Sequence, residues 1–332
     1  MPFVPEPNVT DLLPAFTSML PLARYEVDRD YLARERPDLF DELWADAATR
    51  VLPVYQGSAL LADRSDVALD SVTDAAPVLA LLPVGAVPPA ATRVYLGRST
   101  STSSPEPAGT PIVAVELEDA GHLAESQWGD LRRIGARLSD RDAGLLAEAL
   151  GILNWHRSHR FSPLTGTPTI AEQGGWVRRD PVTGTQVFPR TDAAIIVGIT
   201  DDADRLLLGS NALWERDRYS LLAGFVEPGE SLEAAVIREV AEESGIPVVD
   251  PVYLGSQPWP FPASLMLGFT ARVAPGFTGS ATPDGTEILD LRWFSRAELA
   301  ASLTEIRLPG PTSIARAIID HWFGCRIEDA RP

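Results

Sequence analysis

The sequence predicts an α+β protein built from more than one domain, on three observations. The chain has 332 residues, which exceeds the usual size of a single domain. Short β-like runs separated by turn-forming residues prevail over residues 1–125, whereas strand-like and helix-like segments alternate after about Asp192. Apolar residues make up 45% of the chain, which is enough to build sizeable cores.

The first domain, over residues 1–125, is expected to be β-rich. Its clearest β-like runs are residues 51–55 and 92–96. The polar, proline-containing segment 99–109 predicts a loop. A connecting helical segment follows over residues 126–160, because apolar residues recur there at helical spacing after a candidate cap at Ser139 or Asp140.

A small module is expected over residues 161–191, where one short pattern occurs twice. Ser162-Pro-Leu-Thr-Gly166 is followed by Asp180-Pro-Val-Thr-Gly184. This pattern suits a type I turn whose last residue is a left-handed glycine. We therefore predict two hairpin tips in this module.

The C-terminal domain is expected over residues 192–325 and mixes strands with helices. A turn at residues 201–204 should join its first two strands. The expected strands are 193–200, 205–209, 220–226, 264–273 and 288–294, and the expected helices are 231–244 and 312–323.

Composition narrows the function classes. The net charge of −18 argues against a broad hold on nucleic-acid phosphates, which needs many Lys and Arg side chains. No apolar run approaches the roughly 20 residues that span a bilayer, and residues 1–6 lack the features of a signal peptide. We therefore expect a cytoplasmic protein with no membrane partner. The single cysteine, Cys325, excludes an internal disulfide framework.

The most informative segment is a predicted helix with an acidic end. Glu239, Glu242 and Glu243 are spaced i, i+3 and i+4, so they share one helix face. Three carboxylates near the negative end of the helix dipole repel one another, and a divalent cation with a preference for oxygen ligands removes that cost. The pattern favours Mg²⁺ or Mn²⁺; the alternative is a solvated helix end neutralised by Arg238.

The spacing around this helix resembles the signature of the Nudix hydrolases, G-x5-E-x7-R-E-U-x-E-E-x-G-U, where U is apolar. The matching positions are Gly224, Glu230, Arg238, Glu239, Val240, Glu242, Glu243, Gly245 and Ile246. The resemblance implies an α/β/α sandwich with a mixed sheet, and hydrolysis of a nucleoside diphosphate linked to another moiety. It implies metal binding by Glu239, Glu242, Glu243 and the Ala223 carbonyl. It gives Gly224, Glu230, Arg238 and Gly245 a structural role.

A second motif follows at residues 256–264, which read Ser-Gln-Pro-Trp-Pro-Phe-Pro-Ala-Ser. Its three prolines stiffen the expected loop, and its two aromatic rings offer faces for a nicotinamide or adenine ring. This motif narrows the resemblance to the NADH pyrophosphatase subfamily, which includes NAD-capped RNA hydrolases. The alternative is a surface loop whose aromatics pack into a core. The segment 256–264 is similar to the subfamily's S-Q-P-W-P-F-P-x-S motif, and its expected substrate contacts are Gln257, Pro258, Trp259, Pro260, Phe261, Pro262, Ala263 and Ser264.

Other positions extend the resemblance. Phe188, in an aromatic-Pro-Arg triplet, is expected near the base, and Glu287 corresponds to a further metal-binding glutamate. Ala315 matches a substrate-contact position, while Phe225 either stacks on a base or belongs to a strand core. The segment 155–161 is similar to the subfamily's W-H-x-x-H-x-F lead-in. The subfamily also implies a homodimer.

The chain departs from the subfamily where a zinc ribbon is usual. Ser162, Thr165, Asp180 and Thr183 stand where four cysteines are expected, and Ser and Thr are poor zinc ligands. We expect no structural zinc. Our hypothesis is that turn chemistry now holds each knuckle of a degenerate, ribbon-like module.

The expected reaction is metal-dependent hydrolysis of the NAD(H) diphosphate, giving NMN(H) and AMP. The same bond occurs in an NAD-capped RNA 5′ end, so cap removal is a further expectation. The general base is expected to be Glu242, Glu243 or a carboxylate of a nearby loop. Two alternatives are a Nudix pyrophosphatase for another substrate, such as ADP-ribose or a nucleoside triphosphate, and a non-catalytic domain that senses a nucleotide.

Overall fold

A computed structural model describes residues 15–62, 76–88, 90 and 92–328. The expectation about a signal peptide concerns residues 1–6, which lie outside this part of the chain. Within the described residues, no helix is both long enough and apolar enough to cross a membrane.

The described chain contains sixteen strands and seven α-helices. The strands are β1 Val27–Asp28, β2 Arg50–Tyr55, β3 Ser58–Leu60, β4 Leu82–Pro83, β5 Thr92–Ser99, β6 Pro111–Leu117, β7 Trp128–Asp130, β8 Ile170–Glu172, β9 Val177–Arg179, β10 Gln186–Val187, β11 Asp192–Thr200, β12 Leu206–Asn211, β13 Leu222–Phe225, β14 Val248–Trp259, β15 Ser264–Val273 and β16 Ile288–Phe294. The helices are α1 Ala15–Met19, α2 Leu39–Ala45, α3 Leu131–Ile134, α4 Asp140–Ser158, α5 Leu232–Ser244, α6 Arg296–Ser302 and α7 Ile314–Phe323.

The described chain forms two compact units. One, here the N-terminal unit, contains Pro21–Thr191 together with Pro258–Ala263. The other, here the C-terminal unit, contains Asp192–Gln257, Ser264 onwards and the short helix α1. The chain therefore leaves the C-terminal unit for six residues at the second motif and then returns to it.

The N-terminal unit is built on a mixed sheet in the order β1-β5-β6-β2-β3-β7, with β4 on β2. Strands β2 and β6 run parallel, and their neighbours run antiparallel. Alternate residues face opposite sides, so Leu52 and Val54 pack with α4, whereas Val51 packs with Leu39 and Leu43 of α2. The expected β-rich region is thus a sheet with a helix on each face.

The module after α4 is a three-stranded antiparallel sheet in the order β10-β9-β8. Gly166 and Gly184 adopt left-handed backbone angles, with φ of 71° and 73°. Each glycine N–H donates to the carbonyl four residues earlier, on Ser162 and Asp180 respectively, at 2.9 Å. The two predicted turns with a left-handed glycine are therefore confirmed.

The C-terminal unit has a mixed sheet in the order β14-β15-β11-β12-β16, with β13 on β11. Strands β11 and β15 are parallel, whereas β11 is antiparallel to β12 and β13, and β12 is antiparallel to β16. Residues Ile195 and Val197 of β11 pack with α5. A Cβ added to Gly198, on the opposite face of β11, would lie 3.0 Å from Ile318 of α7. Helices thus cover both faces, which confirms the expected α/β/α sandwich with a mixed sheet.

The second motif departs from its expected loop conformation at one end. Strand β14 continues to Trp259, so Gln257 and Pro258 lie in a strand and only the following residues form the turn into β15. Strand β14 is at an edge of the sheet, where a proline removes no ladder hydrogen bond on its open side. This position explains how a proline-rich segment can be extended.

Candidate functional site

The acidic helix α5 is fixed at both ends by local capping. The Ser231 hydroxyl accepts a hydrogen bond from the Ala234 N–H at 3.1 Å, which satisfies one free donor of the first turn. Gly245 ends the helix with φ of 67°, and its N–H donates to the Ala241 carbonyl at 2.9 Å. A left-handed C-cap favours glycine, so this position of the signature serves helix termination.

Arg238 gathers the carboxylates of the segment around one guanidinium. Its Nη2 and Nε donate to the two oxygens of Glu230 at 2.6 and 3.1 Å, a bidentate pair. Its Nη1 donates to Glu239 and to Glu242, each at 2.9 Å. Its Nη2 also donates to the Phe225 carbonyl at 3.0 Å. One arginine therefore ties α5 to the preceding loop and to the end of β13.

Gly224 makes room for the carboxylate of Glu239. A Cβ at this position would lie 2.0 Å from Cδ of Glu239 and within 2.3 Å of both its oxygens. No side chain fits there unless the carboxylate moves. The signature glycine is therefore required by close packing of the metal-ligand candidate, not by an unusual backbone angle.

Glu243 is the most deeply buried carboxylate of the cluster, with 6% of its surface exposed. Among the described residues, its Oε2 is buried and has no hydrogen-bond partner. Burial is the main cause that raises the pKa of Glu243 to about 8, and the charges of Glu287 and Glu239 raise it further. An ionised carboxylate in this place needs a cation.

Glu287 approaches the cluster from the loop before β16. Its negative charge contributes to the raised pKa of both Glu243 and Glu239, so it lies within electrostatic range of them. Backbone N–H groups of Glu287 and Ile288 donate to the carboxylate of Asp284, which fixes the loop. Asp284 also raises the pKa of Glu243. Sequence reasoning missed Asp284, for which the Asp-Gly turn at 284–285 was the available signal.

The β13 residues of the site lie beside the cluster on the sheet. Ala223 is half-buried and pairs with Ile196 of β11. Phe225 ends β13 with 60% of its surface exposed, so its ring is open to solvent and not part of the strand core. Of the two open interpretations of Phe225, the exposed ring favours base stacking.

The cluster suits a divalent cation, although the described residues contain no ready-made metal site of three or more His, Cys, Asp or Glu side chains. The positive Nη1 of Arg238 lies between Glu239 and Glu242, in the place where a cation would neutralise them. The buried, unpartnered Oε2 of Glu243 supplies a further oxygen. Carboxylate oxygens are the ligands that Mg²⁺ and Mn²⁺ prefer.

The turn of the second motif belongs to the N-terminal unit and is held by α4. The Asn154 amide donates to the carbonyls of Pro260 and Pro262 at 2.8 and 3.0 Å. The rings of Trp259 and Phe261 meet edge to face, 5.0 Å apart, and both pack against that unit's core. Both side chains remain partly exposed, so packing and ligand contact are compatible.

The remaining predicted substrate residues divide between the two units. Gln257 is fully buried in the C-terminal unit, where its amide donates to the Thr312 carbonyl at 2.9 Å. Ser264 begins β15, and Ala315 is buried in the first turn of α7. Phe188 is 59% exposed, directly after β10 in the N-terminal unit. Pro258 and Ala263 flank the turn held by Asn154.

At the four positions where the subfamily has zinc-binding cysteines, a buried aspartate joins the two turns of the module. Asp180 has no exposed surface and accepts hydrogen bonds from the Thr165 hydroxyl at 2.6 Å and from the Val182 N–H at 2.8 Å. Hydrogen bonds from Ser162 and Thr165 hold the pKa of Asp180 well below its ordinary value. One carboxylate thus connects the first turn to the second, which a shared zinc ion does in a ribbon.

Two family models match separate regions of the chain. A model described as "NUDIX domain" matches residues 189–315, and one described as "NADH pyrophosphatase-like rudimentary NUDIX domain" matches residues 48–155. The NAD-capped RNA hydrolase NudC of Mycobacterium bovis is 47% identical over 206 residues, which cover 59% of this chain and 65% of that protein. The alignment therefore spans slightly less than two thirds of that relative.

Two further comparisons cover different shares of the chain. The NAD-capped RNA hydrolase NudC of Stutzerimonas stutzeri is 38% identical over 224 residues, which cover 68% of this chain and 78% of that protein. A crystal structure of a NUDIX hydrolase from Nitrosomonas europaea is 22% identical, with a TM-score of 0.39, covering 50% of this chain and 94% of that one.

Proposed function

This chain belongs to the NudC family of Nudix hydrolases, and from that premise we propose that it hydrolyses the diphosphate bond of NAD(H), giving NMN(H) and AMP. The observation that carries the proposal is the carboxylate cluster on α5. The negative charges of Glu239 and Glu287 act on Glu243 there, and Glu243 has an oxygen without a hydrogen-bond partner among the described residues. Such a cluster is costly in a folded protein unless cations bind to it.

The metal ligands in this proposal are Glu239, Glu242, Glu243, Glu287 and the Ala223 carbonyl. A bound Mg²⁺ or Mn²⁺ ion supplies charge to offset the diphosphate and lowers the pKa of a coordinated water. Nudix hydrolases as a class use a divalent metal of this kind.

Each protein group has a distinct task in the reaction. Arg238 and Glu230 hold α5 against β13, and Gly224 lets Glu239 lie close to the strand. We assign Glu243 as the residue that accepts the proton of the attacking water, because its carboxylate is the most deeply buried of the cluster and has an oxygen without a hydrogen-bond partner among the described residues. Glu242, whose side chain is 60% exposed, faces the solvent side, where the substrate enters.

The preference for NAD-like dinucleotides is assigned to the second motif. Asn154 holds its turn through two carbonyls, so the partly exposed rings of Trp259 and Phe261 are held in place and lose little entropy on binding. Gln257 and Ala315 are buried, so we give them a positioning role. The expected contacts to the base are the exposed rings of Phe188 and Phe225.

Removal of NAD from RNA 5′ ends is a second activity of the same site. The relatives named NAD-capped RNA hydrolase support this proposal. The scissile diphosphate is identical in the free dinucleotide and in the cap. Since the net charge of −18 disfavours a broad hold on RNA, we expect recognition to concentrate on the capped end.

The organisation of the chain is also proposed. We propose domains over residues 1–125, 126–160, 161–191 and 192–325, and the family matches at 48–155 and 189–315 support two of them.

We propose that the 161–191 module needs no structural zinc, because Asp180 already joins its turns. A homodimer in the cytoplasm is proposed from the resemblance, and light scattering of the purified chain tests the oligomeric state.

A substrate comparison tests the proposed function. Purified chain with Mn²⁺ should show a kcat/KM for NADH at least tenfold above that for ADP-ribose, because the aromatic motif contacts the second base. The Glu243→Gln variant should keep its melting temperature and lose nearly all turnover. If ADP-ribose is hydrolysed as well as NADH, the substrate assignment is wrong. If Glu243→Gln stays fully active, the site assignment is wrong.

A further inference from the structure

The N-terminal unit contains a polar cavity, distinct from the carboxylate cluster by its residues and its charge. Its volume is about 560 Å³, within the range of small-ligand pockets. Four arginines and two glutamates line it, so its formal charge is positive in a protein of net charge −18. The charged lining residues are Arg93, Arg157, Arg160, Arg178, Glu116 and Glu118.

Three of these guanidiniums have no carboxylate within ion-pair distance in the described part of the chain. Arg157 pairs with Glu116 at 3.0 Å, whereas Arg93, Arg160 and Arg178 appear in no ion pair there. Arg93 and Arg178 are half-buried and Arg160 is exposed, and a partly buried guanidinium without a counter-charge is unfavourable. Their gathering at one cavity therefore points to an anion as the missing partner.

Within the described residues, the groups that hold Arg178 in place are neutral. Its Nε donates to the Thr169 hydroxyl at 2.6 Å and its Nη2 to the Thr169 carbonyl at 2.9 Å. Its Nη1 donates to Nδ1 of His156 at 2.8 Å. Burial lowers the pKa of Arg178, and the nearby charge of Arg160 lowers it further. The guanidinium is thus positioned, but its charge is not neutralised.

His156 is adapted to this positioning. Its Nε2 donates to the Gly175 carbonyl at 2.7 Å, which leaves Nδ1 as the acceptor for Arg178. Burial lowers the pKa of His156 to about 4, so the ring is neutral at pH 7 and adds no charge of its own. The lead-in motif containing His156 therefore serves an arginine here, and no metal is needed to explain it.

Aromatic rings line the same cavity. Phe161 is 60% exposed, and Phe40 is partly exposed beneath the guanidinium of Arg93, 4.8 Å from its ring centre. Flat apolar faces beside phosphate-binding guanidiniums are the two elements that recognise a nucleotide. Glu118 adds an exposed carboxylate, which suits the hydroxyls of a ribose.

We propose that this cavity is a second nucleotide-binding site, which takes the phosphate on Arg160 and Arg178 and the base on Phe161 and Phe40. The site is independent of the proposed diphosphatase activity, since none of its residues belongs to the carboxylate cluster or the second motif. Its ligand is a nucleoside monophosphate, either free or as one unit of a single-stranded RNA.

Calorimetric titration of the full-length chain with AMP tests this site. EDTA keeps cations from the carboxylate cluster, which then repels phosphate. AMP should bind with one site per chain, and adenosine and inorganic phosphate should each bind at least tenfold more weakly. Arg160→Gln should weaken AMP binding about tenfold, as expected for a hydrogen-bonded charge. The matched control is Arg179→Gln, the next residue on β9 after Arg178, which is already paired with Glu172.

The outcomes separate this proposal from the function of the carboxylate cluster. Arg160 is exposed and makes no ion pair within the described residues, so its variant should fold and should hydrolyse NADH with Mn²⁺ at the wild-type rate. Equal AMP affinity in the wild type and Arg160→Gln overturns the site, as does phosphate binding as tight as AMP. If a 5′-hydroxyl oligoadenylate binds more tightly than AMP, with the same dependence on Arg160, the natural ligand is a nucleotide unit of an RNA strand. If the oligoadenylate binds more weakly than AMP, the natural ligand is the free nucleotide.

Discussion

Replacing Gly224 with alanine should separate activity from stability at the carboxylate cluster. The added Cβ would lie 2.0 Å from Cδ of Glu239, whereas ordinary carbon contacts begin near 3.4 Å. The carboxylate must therefore move by about 1.5 Å to reach normal contact. It can do so, because it is the far end of a flexible side chain, but it then leaves the position in which Arg238 holds it.

The expected cost falls on catalysis. A misplacement of about 1 Å costs on the order of a hundredfold in rate, so kcat for NADH should fall by at least that factor. The weakened hydrogen bond to Arg238 costs about 1 kcal/mol, which lowers the melting temperature by only about 2–4 °C.

Two measurements and one control decide this prediction. Product formation is followed by chromatography of AMP, and unfolding by circular dichroism. Gly310→Ala is the matched control, since a Cβ there meets nothing within 4 Å, and it should keep full activity. If Gly224→Ala retains activity within about twofold of the wild type, the packing of Glu239 against this glycine does not position a catalytic group.

Two further predictions concern the N-terminal unit. Asp180→Asn should lower the melting temperature, while prolonged chelation leaves the wild type unchanged; one tightly held zinc per chain by metal analysis would contradict this. Glu148 is buried in α4, 3.8 Å from Arg29, and burial raises its pKa to about 7. Because the pKa of Glu148 is higher in the folded protein than in the unfolded chain, its neutral form contributes stability to the fold. This contribution is fully present below pH 4.5 and is lost as the pH rises through 7. By pH 8 the free energy of unfolding should have fallen by about 3 kcal/mol. In denaturant titrations, Glu148→Gln should flatten the dependence of this free energy on pH. An unchanged pH dependence in the variant would show that Glu148 is not the responsible group.

The helix that carries the glutamates, and its ends, could be predicted from the sequence because that information is local. Glutamates spaced three and four apart must share a helix face, and Ser231 and Gly245 mark the helix ends by capping chemistry. The strands 264–273 and 288–294 have the predicted bounds. The shared face is divided in the structure, however, since Glu243 is buried while Glu242 is exposed.

Features that depend on distant residues could not be predicted in this way. Strand β14 runs into a proline-rich segment because it lies at a sheet edge, which the local composition does not reveal. Asn154 reaches the turn of the second motif across more than 100 positions. The cavity arginines come from β5, the end of α4 and β9, so no sequence spacing connects Arg93 with Arg178.

The central claim is that the carboxylates of α5 support metal-dependent hydrolysis of the NAD(H) diphosphate. The most direct measurement is product analysis after incubating the purified chain with NADH and Mn²⁺, beside the same incubation with EDTA. We predict equal amounts of NMNH and AMP with Mn²⁺ and none with EDTA. Intact NADH that nevertheless binds to the Mn²⁺-loaded chain would contradict the account and identify a nucleotide-sensing domain.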